Sequence, residues 1–278
     1  AIEAWFDQYG PLPYGQPVTT LIDGSTLERF GHQSESPWLN MHSVGNNPRN
    51  HGFYPMIEEL FRLEPPFPAA NLEPYYPGWQ HPYHNLIDGE IPSANSDLDN
   101  YYARAQMYGS VLSGGLAGHI YGTGAYCGNT TGEPEEAGAR LFIWQALNYN
   151  SGPQMGFMKN FILSRGAKYK KLELASNDLE SRYAPGSTSN GLTGWSFMMR
   201  TPEKELAMLY FERNSVLSAL LNMKQTAQYK TTWYNPRDGE WQEPILVKSD
   251  REGRLDIGVF PDGGSIARED WALLVEED

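Results

Sequence analysis

Short apolar runs alternate with helical patterns through the first two thirds of the chain, and this alternation constrains its fold more than any other feature. The predicted strands cover residues 17–23, 38–44, 68–73 and 116–121. The predicted helices cover residues 55–62, 97–113 and 153–165, the second with Asp97 as its N-cap. Strand–helix alternation of this kind is typical of βα units built around a parallel sheet.

Each predicted strand of this part ends in, or contains, an ionisable side chain after an apolar run. These residues are Asp23, His42, Glu73 and His119. In parallel sheets and barrels the working residues lie at the carboxyl ends of the strands. We therefore expect these four side chains to share one edge of the sheet.

The last third of the chain has a different pattern, in which short apolar runs are separated by turn signals such as Asn235–Gly239. The predicted strands cover residues 207–211, 228–234, 244–247, 255–259 and 271–275. Even spacing of short strands is typical of an antiparallel sandwich. We place the boundary between Arg165 and Leu172, which divides the chain into domains 1–165 and 166–278.

The composition excludes several classes of function. Asp and Glu number 34 against 21 Lys and Arg, for a net charge of −13, whereas a nucleic-acid partner requires a basic face. No apolar run approaches the roughly 20 residues of a membrane span. The single cysteine, Cys127, excludes an internal disulfide. Aromatic residues make up 13 % of the chain, which favours carbohydrate-active proteins, whose rings stack on sugar faces.

Few spacings in the sequence suit a metal or a cofactor. His81 and His84 flank a Pro-Tyr pair, and Asp97 with Asp99 forms a short acidic pair, but neither spacing is typical of a metal site. No P-loop or dinucleotide-binding motif occurs. We expect neither a metal nor a cofactor. Residues 129–131 fit the N-glycosylation pattern, which also occurs by chance.

Glu73 lies in the most informative segment, Asn71–Tyr76. A carboxylate at the end of a buried strand, followed by aromatic rings, suits a glycosidase nucleophile that faces the anomeric carbon of a sugar. The same pattern also fits a glutamate that only pairs with a neighbouring cation.

Other residues could complete such a site. Arg104, on a largely apolar helix, could reach Glu73 and hold it ionised, or lie on the surface. His42 and His119 could bind sugar hydroxyls or serve only the fold. The aromatic residues that could form sugar platforms or pack in the core are Tyr75, Tyr76, Trp79 and Trp144.

The order of these segments resembles the apiosidase-like glycoside hydrolases. Residues 37–41, 71–78 and 104–122 resemble the family's sixth strand, its Glu-Pro segment on strand seven, and its Arg-bearing helix with strand eight. Gly152–Met155 resembles the start of the last barrel helix. Trp233–Gly239 resembles the signature of a C-terminal domain that the family labels collagen-binding, with Asn235 where the family has Asp.

The resemblance implies a (β/α)₈ barrel followed by a small β-sandwich. It implies a retaining, exo-acting glycosidase of plant or algal polysaccharides, with Glu73 as the nucleophile. The substrate-binding residues that it implies, or that surround Glu73 in sequence, are His42, Tyr75, Trp79, Arg104, His119 and Tyr121. It also implies an extracellular or periplasmic location. We expect the sandwich to pack against the barrel, with Trp233 and Trp241 in its core or at that interface.

One departure from the family concerns the general acid/base, which lies at the end of barrel strand four. The four predicted strands correspond to strands five to eight, and residues 1–165 are far fewer than the ~250 of a complete barrel. We therefore expect a second polypeptide, or an upstream segment, to supply the other half. On this interpretation Ala1 marks a cut inside a fold.

Two other functions compete with this prediction. A degenerate barrel could serve as the scaffold of a non-catalytic carbohydrate- or matrix-binding protein, which the missing acid/base favours and the set of Glu73, Arg104 and His119 disfavours. A lyase acting on acidic polysaccharides would require a basic cleft, which 21 basic residues make difficult to build.

Overall fold

The computed structural model describes residues 2–32, 34–45, 49–79, 87, 89–124 and 143–278. The helices of the first part are α1 (Ile2–Tyr9), α2 (Thr26–Phe30), α3 (Phe53–Phe61), α4 (Asp97–Leu112), α5 (Ile143–Ala146) and α6 (Ser151–Ile162). Its strands are β1 (Gly24–Ser25), β2 (His42–Gly45), β3 (Ala69–Glu73) and β4 (Gly118–His119). None of the helices in these ranges is long and apolar enough to cross a membrane.

These four strands form one mixed sheet in the order β1-β2-β3-β4. Strands β2, β3 and β4 are parallel, as the sequence predicts, and β1 is antiparallel to β2. The helices α3 and α4 connect the parallel strands, so these strands and helices form two βα units.

The strand predicted over residues 17–23 is wrong. The segment runs beside β2 without joining the sheet: the carbonyl of Val18 accepts from the backbone of Asn40, and the Ser43 hydroxyl donates to the carbonyl of Thr20. The antiparallel pair Gly24–Ser25 occupies the edge of β2 instead. Asp23 therefore precedes a short antiparallel strand and does not end a parallel one.

Helix α4 is buried along most of its length. It begins at Asp97, one residue earlier than an N-cap at Asp97 would allow. Its N-cap is Ser96, whose hydroxyl accepts from the backbone N–H of Asp99, so the predicted cap Asp97 is the first helical residue. After α4 the chain turns at Gly114, where φ is +110°.

The last third forms a seven-stranded antiparallel sheet in the order β10-β8-β11-β7-β6-β5, with β9 paired to β8. The strands are β5 (Glu173–Leu174), β6 (Ser196–Arg200), β7 (Leu206–Phe211), β8 (Gln228–Asn235), β9 (Glu240–Trp241), β10 (Ile245–Lys248) and β11 (Trp271–Glu277). Short 3₁₀ helices at Gly166–Lys171 and Ser176–Asp178 connect the two parts of the chain.

Both faces of the strands β6, β7 and β11 are buried, with side chains alternating between two cores, whereas β9 and β10 are largely exposed. Along β7, Met208 and Tyr210 face the core that contains α3, α4 and α6, whereas Leu209 and Phe211 face a second core. The first core thus extends across both parts of the chain.

The second core is covered by irregular chain and not by a regular second sheet. Isolated bridges such as Leu179 with Leu220 and Leu220 with Leu255 replace strand pairing there. The strand predicted over 255–259 is therefore wrong, and Gly258, with φ at +84°, bends the chain inside that segment. Among the described residues, this part is a single sheet with one irregular covering layer.

Trp233 and Trp241 lie where the sequence analysis placed them. Trp233 is 4 % exposed and packs in the second core. Trp241 packs against Phe161 of α6, with ring centroids 5.8 Å apart, and so lies at the interface. The sheet packs against the first part of the chain, as expected.

Candidate functional site

Glu73 ends strand β3, opposite Gly45 at the end of the parallel strand β2. Its side chain is 16 % exposed, and its Oε1 lies 3.3 Å from Nη2 of Arg49. Its backbone N–H donates to Oδ1 of Asn71, at 3.2 Å. The carboxylate therefore lies at the carboxyl edge of the sheet, fixed on one side and partly open on the other.

Arg49 is the cation that faces Glu73, and the sequence analysis did not identify it. Its side chain is only 1 % exposed. Its guanidinium lies over the rings of Tyr76 and Trp79, 4.8 and 4.5 Å from their centroids. Such cation–π stacking orients a guanidinium and leaves its edge free to donate hydrogen bonds. Because Arg49 closely follows β2, the expectation that working residues lie at the carboxyl ends of parallel strands could have identified it.

Arg104, which the sequence analysis paired with Glu73, lies elsewhere. Its Nε and Nη2 donate to the two carboxylate oxygens of Asp270, at 3.0 and 2.8 Å, and its Nη1 donates to Gln154. Arg104 and Asp270 are 1 % and 0 % exposed. The predicted contact with Glu73 is therefore wrong, and the observed contacts join α4 to the antiparallel sheet. A substrate-binding role for Arg104 stays a prediction that these contacts disfavour.

The charges of this pair reinforce each other. Burial alone would raise the pKa of Asp270, but Arg104, with Arg237 and Arg213 nearby, lowers it below its ordinary value. Burial likewise opposes the charge of Arg104, and Asp270 outweighs it and raises the pKa of the guanidinium. Both groups are therefore charged at neutral pH.

One polar stripe of helix α4 holds β3 and the loop after it. The stripe consists of residues three or four positions apart: Asp99, Tyr102, Gln106 and Ser110. Ser110 accepts from the amide of Asn71, and Gln106 accepts from the backbone N–H of Tyr75. These contacts fix the chain on both sides of Glu73.

Asp99 provides the largest number of these contacts. It accepts from the Tyr75 hydroxyl at 2.7 Å, from the backbone N–H of Gly78 at 2.9 Å and from that of Asn95 at 2.8 Å. Its side chain is fully buried. Burial raises the pKa of Asp99 to about 6, although these hydrogen bonds favour the charged form.

The three aromatic residues after Glu73 differ in their surroundings. Tyr75 is 2 % exposed, bonded to Asp99 and packed edge-on against Tyr102, so it anchors the loop. Trp79 is 6 % exposed, and Tyr76, which is half-buried, lies beside it with centroids 5.7 Å apart. The predicted platforms Tyr75 and Trp79 thus expose little ring surface in this structure.

Two glycines let the loop after β4 pack against these rings. A Cβ at Gly122 would lie 2.9 Å from the Tyr76 ring, and one at Gly124 would lie 2.5 Å from the backbone of Trp79. Tyr121, in the same loop, bonds through its hydroxyl to Ser151 of α6, at 3.1 Å. Trp144 lies exposed on α5.

The two candidate histidines lie at different positions along the strands of the sheet. His42 is the first residue of β2, opposite Ala69, so it lies at the other end of the strands from Glu73. The expectation that it shares the carboxyl edge is wrong, because the apolar run before it forms turns and the strand begins at His42. Burial, together with His32, lowers its pKa, and it borders a cavity of about 540 Å³.

His119 lies on β4 opposite Asn71, two residues before Glu73 in the neighbouring strand. It is 8 % exposed, and burial lowers its pKa to about 3, so the imidazole is neutral at neutral pH. Its Nδ1 is buried, with no hydrogen-bond partner among the described residues. It lies near the edge that carries Glu73, and its predicted role in binding sugar remains untested.

The remaining candidates of the sequence analysis are the histidine pair, the acidic pair, the cysteine and the glycosylation pattern. His81, His84, Cys127 and the pattern at 129–131 lie outside the described residues. Asp97 is 75 % exposed and pairs with Arg213, whereas Asp99 is buried, so the two carboxylates do not face one ligand. In the part of the chain that the structure describes, no cluster of three or more candidate ligands could hold a metal ion.

Two family models match the chain. The model described as "Apiosidase-like, catalytic domain" matches residues 10–168, which is more than half of the chain. The model described as "Putative collagen-binding domain of a collagenase" matches residues 189–276. No curated protein matches the chain.

Solved structures are similar in fold. One described as a glycoside hydrolase superposes with a TM-score of 0.68 at 20 % identity, covering 91 % of this chain and 55 % of that one. A glycoside hydrolase family 5 protein from Bacteroides vulgatus superposes with a TM-score of 0.63 at 17 % identity, covering 86 % of this chain and 51 % of that one. The chain therefore spans about half the length of these structures.

Proposed function

The chain belongs to the apiosidase-like family, and from that premise we propose that it forms part of a retaining glycoside hydrolase with Glu73 as the nucleophile. The observation that carries the proposal is the setting of Glu73. Its partly open carboxylate lies at the end of a parallel strand, bonded to an arginine that is stacked on two aromatic rings. A glutamate with only a structural role has no need of this fixed, partly open arrangement.

The proposed reaction has two steps. A carboxylate oxygen of Glu73 attacks the anomeric carbon, the glycosidic bond breaks, and a carboxylic acid protonates the leaving oxygen. Water, deprotonated by the same second carboxyl group, then attacks the glycosyl ester and releases Glu73. Arg49 donates to Oε1 of Glu73 and so orients the carboxylate. Among the described residues, its Oε2 makes no hydrogen bond and is the oxygen suited to attack.

We propose that the parallel strands β2, β3 and β4 belong to the second half of a (β/α)₈ barrel, which a second polypeptide or an upstream segment completes. Within the described ranges, strand β4 is the last strand at one edge of the sheet. Several large apolar side chains of this part are exposed, at 45 % for Trp5, 55 % for Leu21 and 45 % for Ile120. A covering half would bury them. It would also supply the acid/base carboxyl, ~5–5.5 Å from that of Glu73.

The family resemblance supports further proposals about the substrate, the mode of cleavage and the location of the enzyme. The substrate would be a plant or algal polysaccharide, cleaved by exo action outside the cytoplasm. The C-terminal sheet would serve the enzyme as a packing partner, since one of its faces shares a core with helices α3, α4 and α6. We do not assign it a collagen-binding role.

The decisive experiment is chemical rescue of Glu73→Ala by azide in the complete enzyme. Without a nucleophile the variant should lose turnover of an activated aryl glycoside. Azide is small enough to take the place of the missing carboxylate and would attack the anomeric carbon directly. The product should be a glycosyl azide of inverted anomeric configuration.

The matched control is Glu59→Gln, which changes an exposed carboxylate on α3 and should retain full activity. A glycosyl azide of retained configuration would make Glu73 the acid/base instead. Undiminished activity of Glu73→Ala without azide would refute the proposal. Glycan binding by a complete enzyme that hydrolyses none of the glycans it binds would favour the non-catalytic alternative.

A further inference from the structure

One buried carboxylate, that of Asp99, holds two points of the loop that follows Glu73. Residues 75–79 carry the rings on which Arg49 is stacked. Asp99 holds this loop at two places, the Tyr75 hydroxyl and the Gly78 backbone, and it also accepts from the backbone of Asn95, which precedes the N-cap of α4. The loop that carries the rings beside Arg49 is therefore held in part by Asp99.

The contacts of Asp99 favour its ionised form. All the groups that face its two oxygens are donors: the Tyr75 hydroxyl and two backbone N–H groups. A protonated carboxyl would place its own O–H against them, and only the Tyr75 hydroxyl could turn to accept it. Protonation therefore either reverses the Tyr75 bond or places an O–H against a backbone N–H, and in both cases it weakens the hold on the loop.

Among the residues that the structure describes, none provides a compensating positive charge to Asp99. The titratable groups that face it are tyrosines, namely Tyr75 in the loop, Tyr121 after β4, and Tyr149 before α6, with Tyr102 next along the stripe. The nearest carboxylate on its own helix, Asp97, is exposed and pairs with Arg213. Asp270, which is also fully buried, pairs with Arg104 and Arg237. Within the described ranges, Asp99 thus differs from Asp270 in being buried among hydrogen-bond donors and in having no paired cation.

We propose that Asp99 is the positioning residue of the active site, and that its ionisation holds the loop 75–79 in the form that binds substrate. The proposal rests on the proposed function in so far as the bound ligand is a saccharide. Burial brings the pKa of Asp99 to about 6, so the loop is held at pH 7 and released in mild acid. At pH 5, Asp99 would be ionised and the loop held in about a tenth of the molecules. Because only these molecules bind substrate, the apparent KM rises about tenfold.

The first arm of the test needs no substrate. Hydrogen–deuterium exchange with mass spectrometry gives the protection factor of the peptide that contains Gly78, corrected for intrinsic exchange. We expect protection in the unmodified protein to fall about tenfold between pH 7 and pH 5. In Asp99→Asn it should be low at both values, and Asp97→Asn, two positions away, should behave like the unmodified protein.

The second arm measures hydrolysis of an aryl glycoside by the complete enzyme. The KM of the unmodified enzyme should rise about tenfold from pH 7 to pH 5. At pH 7 the KM of Asp99→Asn should already be about tenfold above that of the unmodified enzyme, and it should not change between the two pH values. The kcat values should stay within about twofold, because Asp99 does not contact the reacting atoms. Tyr75→Phe removes one of the bonds and serves if Asp99→Asn does not fold, with a smaller rise in KM.

The outcomes separate this inference from the proposed function. Protection that does not change with pH, or that changes equally in Asp99→Asn, would overturn the role of Asp99 even in an active glycosidase. A pH-dependent loss of protection that Asp99→Asn abolishes would support that role even if no hydrolysis through Glu73 were found.

Discussion

The buried pair of Arg104 and Asp270 offers the most quantitative test of how the two parts of the chain are joined. Arg104→Met keeps the length of the side chain but removes three hydrogen bonds, two to Asp270 and one to Gln154. It leaves the carboxylate of Asp270 fully buried. Breaking a buried pair from one side typically costs about 3–5 kcal/mol, because an uncompensated charge stays behind.

The structure places the expected loss at the lower end of that range. Asp270 keeps the hydroxyl of Tyr210 at 3.0 Å, and Arg237 lies 3.5 Å from its Oδ1. We therefore expect Arg104→Met to lower the free energy of unfolding by about 3 kcal/mol. Urea unfolding at pH 7, followed by tryptophan fluorescence and far-ultraviolet circular dichroism, measures this loss.

Three further variants interpret the result. Arg254→Met removes an arginine that is 33 % exposed and paired with Glu180, so the loss should stay below about 1 kcal/mol. Adding Asp270→Leu to Arg104→Met removes the stranded charge and should recover part of the loss. Arg104→Lys, which keeps the charge without the two-pronged contact, serves if Arg104→Met does not fold.

A loss below about 1 kcal/mol for Arg104→Met would refute this reasoning. The reasoning would also be refuted if Arg104→Met kept its stability but lost glycosidase activity. That result would indicate that Arg104 acts at the substrate site.

Three other predictions concern the site and its supports. Arg49→Lys loses the planar guanidinium that stacks on Tyr76 and bonds to Glu73, so we expect kcat/KM for an aryl glycoside to fall about 10- to 100-fold with little change in melting temperature. His119 has its pKa lowered to about 3 in the fold, so protons favour the unfolded chain and stability falls as pH drops from about 6.5 towards 3. Between pH 7 and pH 4.5 the free energy of unfolding should fall by about 3 kcal/mol through His119 alone. His119→Leu should lack this loss when the two proteins are unfolded in parallel urea titrations. An equal loss of stability in acid for both proteins would contradict the prediction. Gly124→Ala should destabilise by about 1–3 kcal/mol, because its Cβ would lie 2.5 Å from the backbone of Trp79, whereas Gly156→Ala, in open space on helix α6, should stabilise by up to about 1 kcal/mol.

The sequence analysis located elements whose period and caps are local. Strand β3 and helices α3, α4 and α6 agree with prediction to within a few residues, and Glu73 lies at the predicted strand end. The same rule failed for His42, because an apolar run does not reveal where pairing begins. Residues 38–41 make turns, and β2 starts at His42.

Long-range pairing was the part that the sequence could not provide. The partner of Arg104 is Asp270, 166 positions further along the chain, and no local pattern links them. Strand β6, with Phe197 and two methionines but no β-branched residue, gave no strand signal, although pairing with β7 makes it one. Arg49 and Asp99 were missed as site residues because their importance comes from contacts with the loop after Glu73.

The most direct test of the central claim is to trap the covalent intermediate on Glu73. An activated 2-deoxy-2-fluoro glycoside, matched to whichever aryl glycoside the complete enzyme turns over, slows the second step so that the glycosyl ester accumulates. Peptide mapping by mass spectrometry should then find one added sugar, carried by Glu73 and absent in Glu73→Gln. An adduct on a different carboxylate, or turnover that never yields an adduct, would contradict the claim.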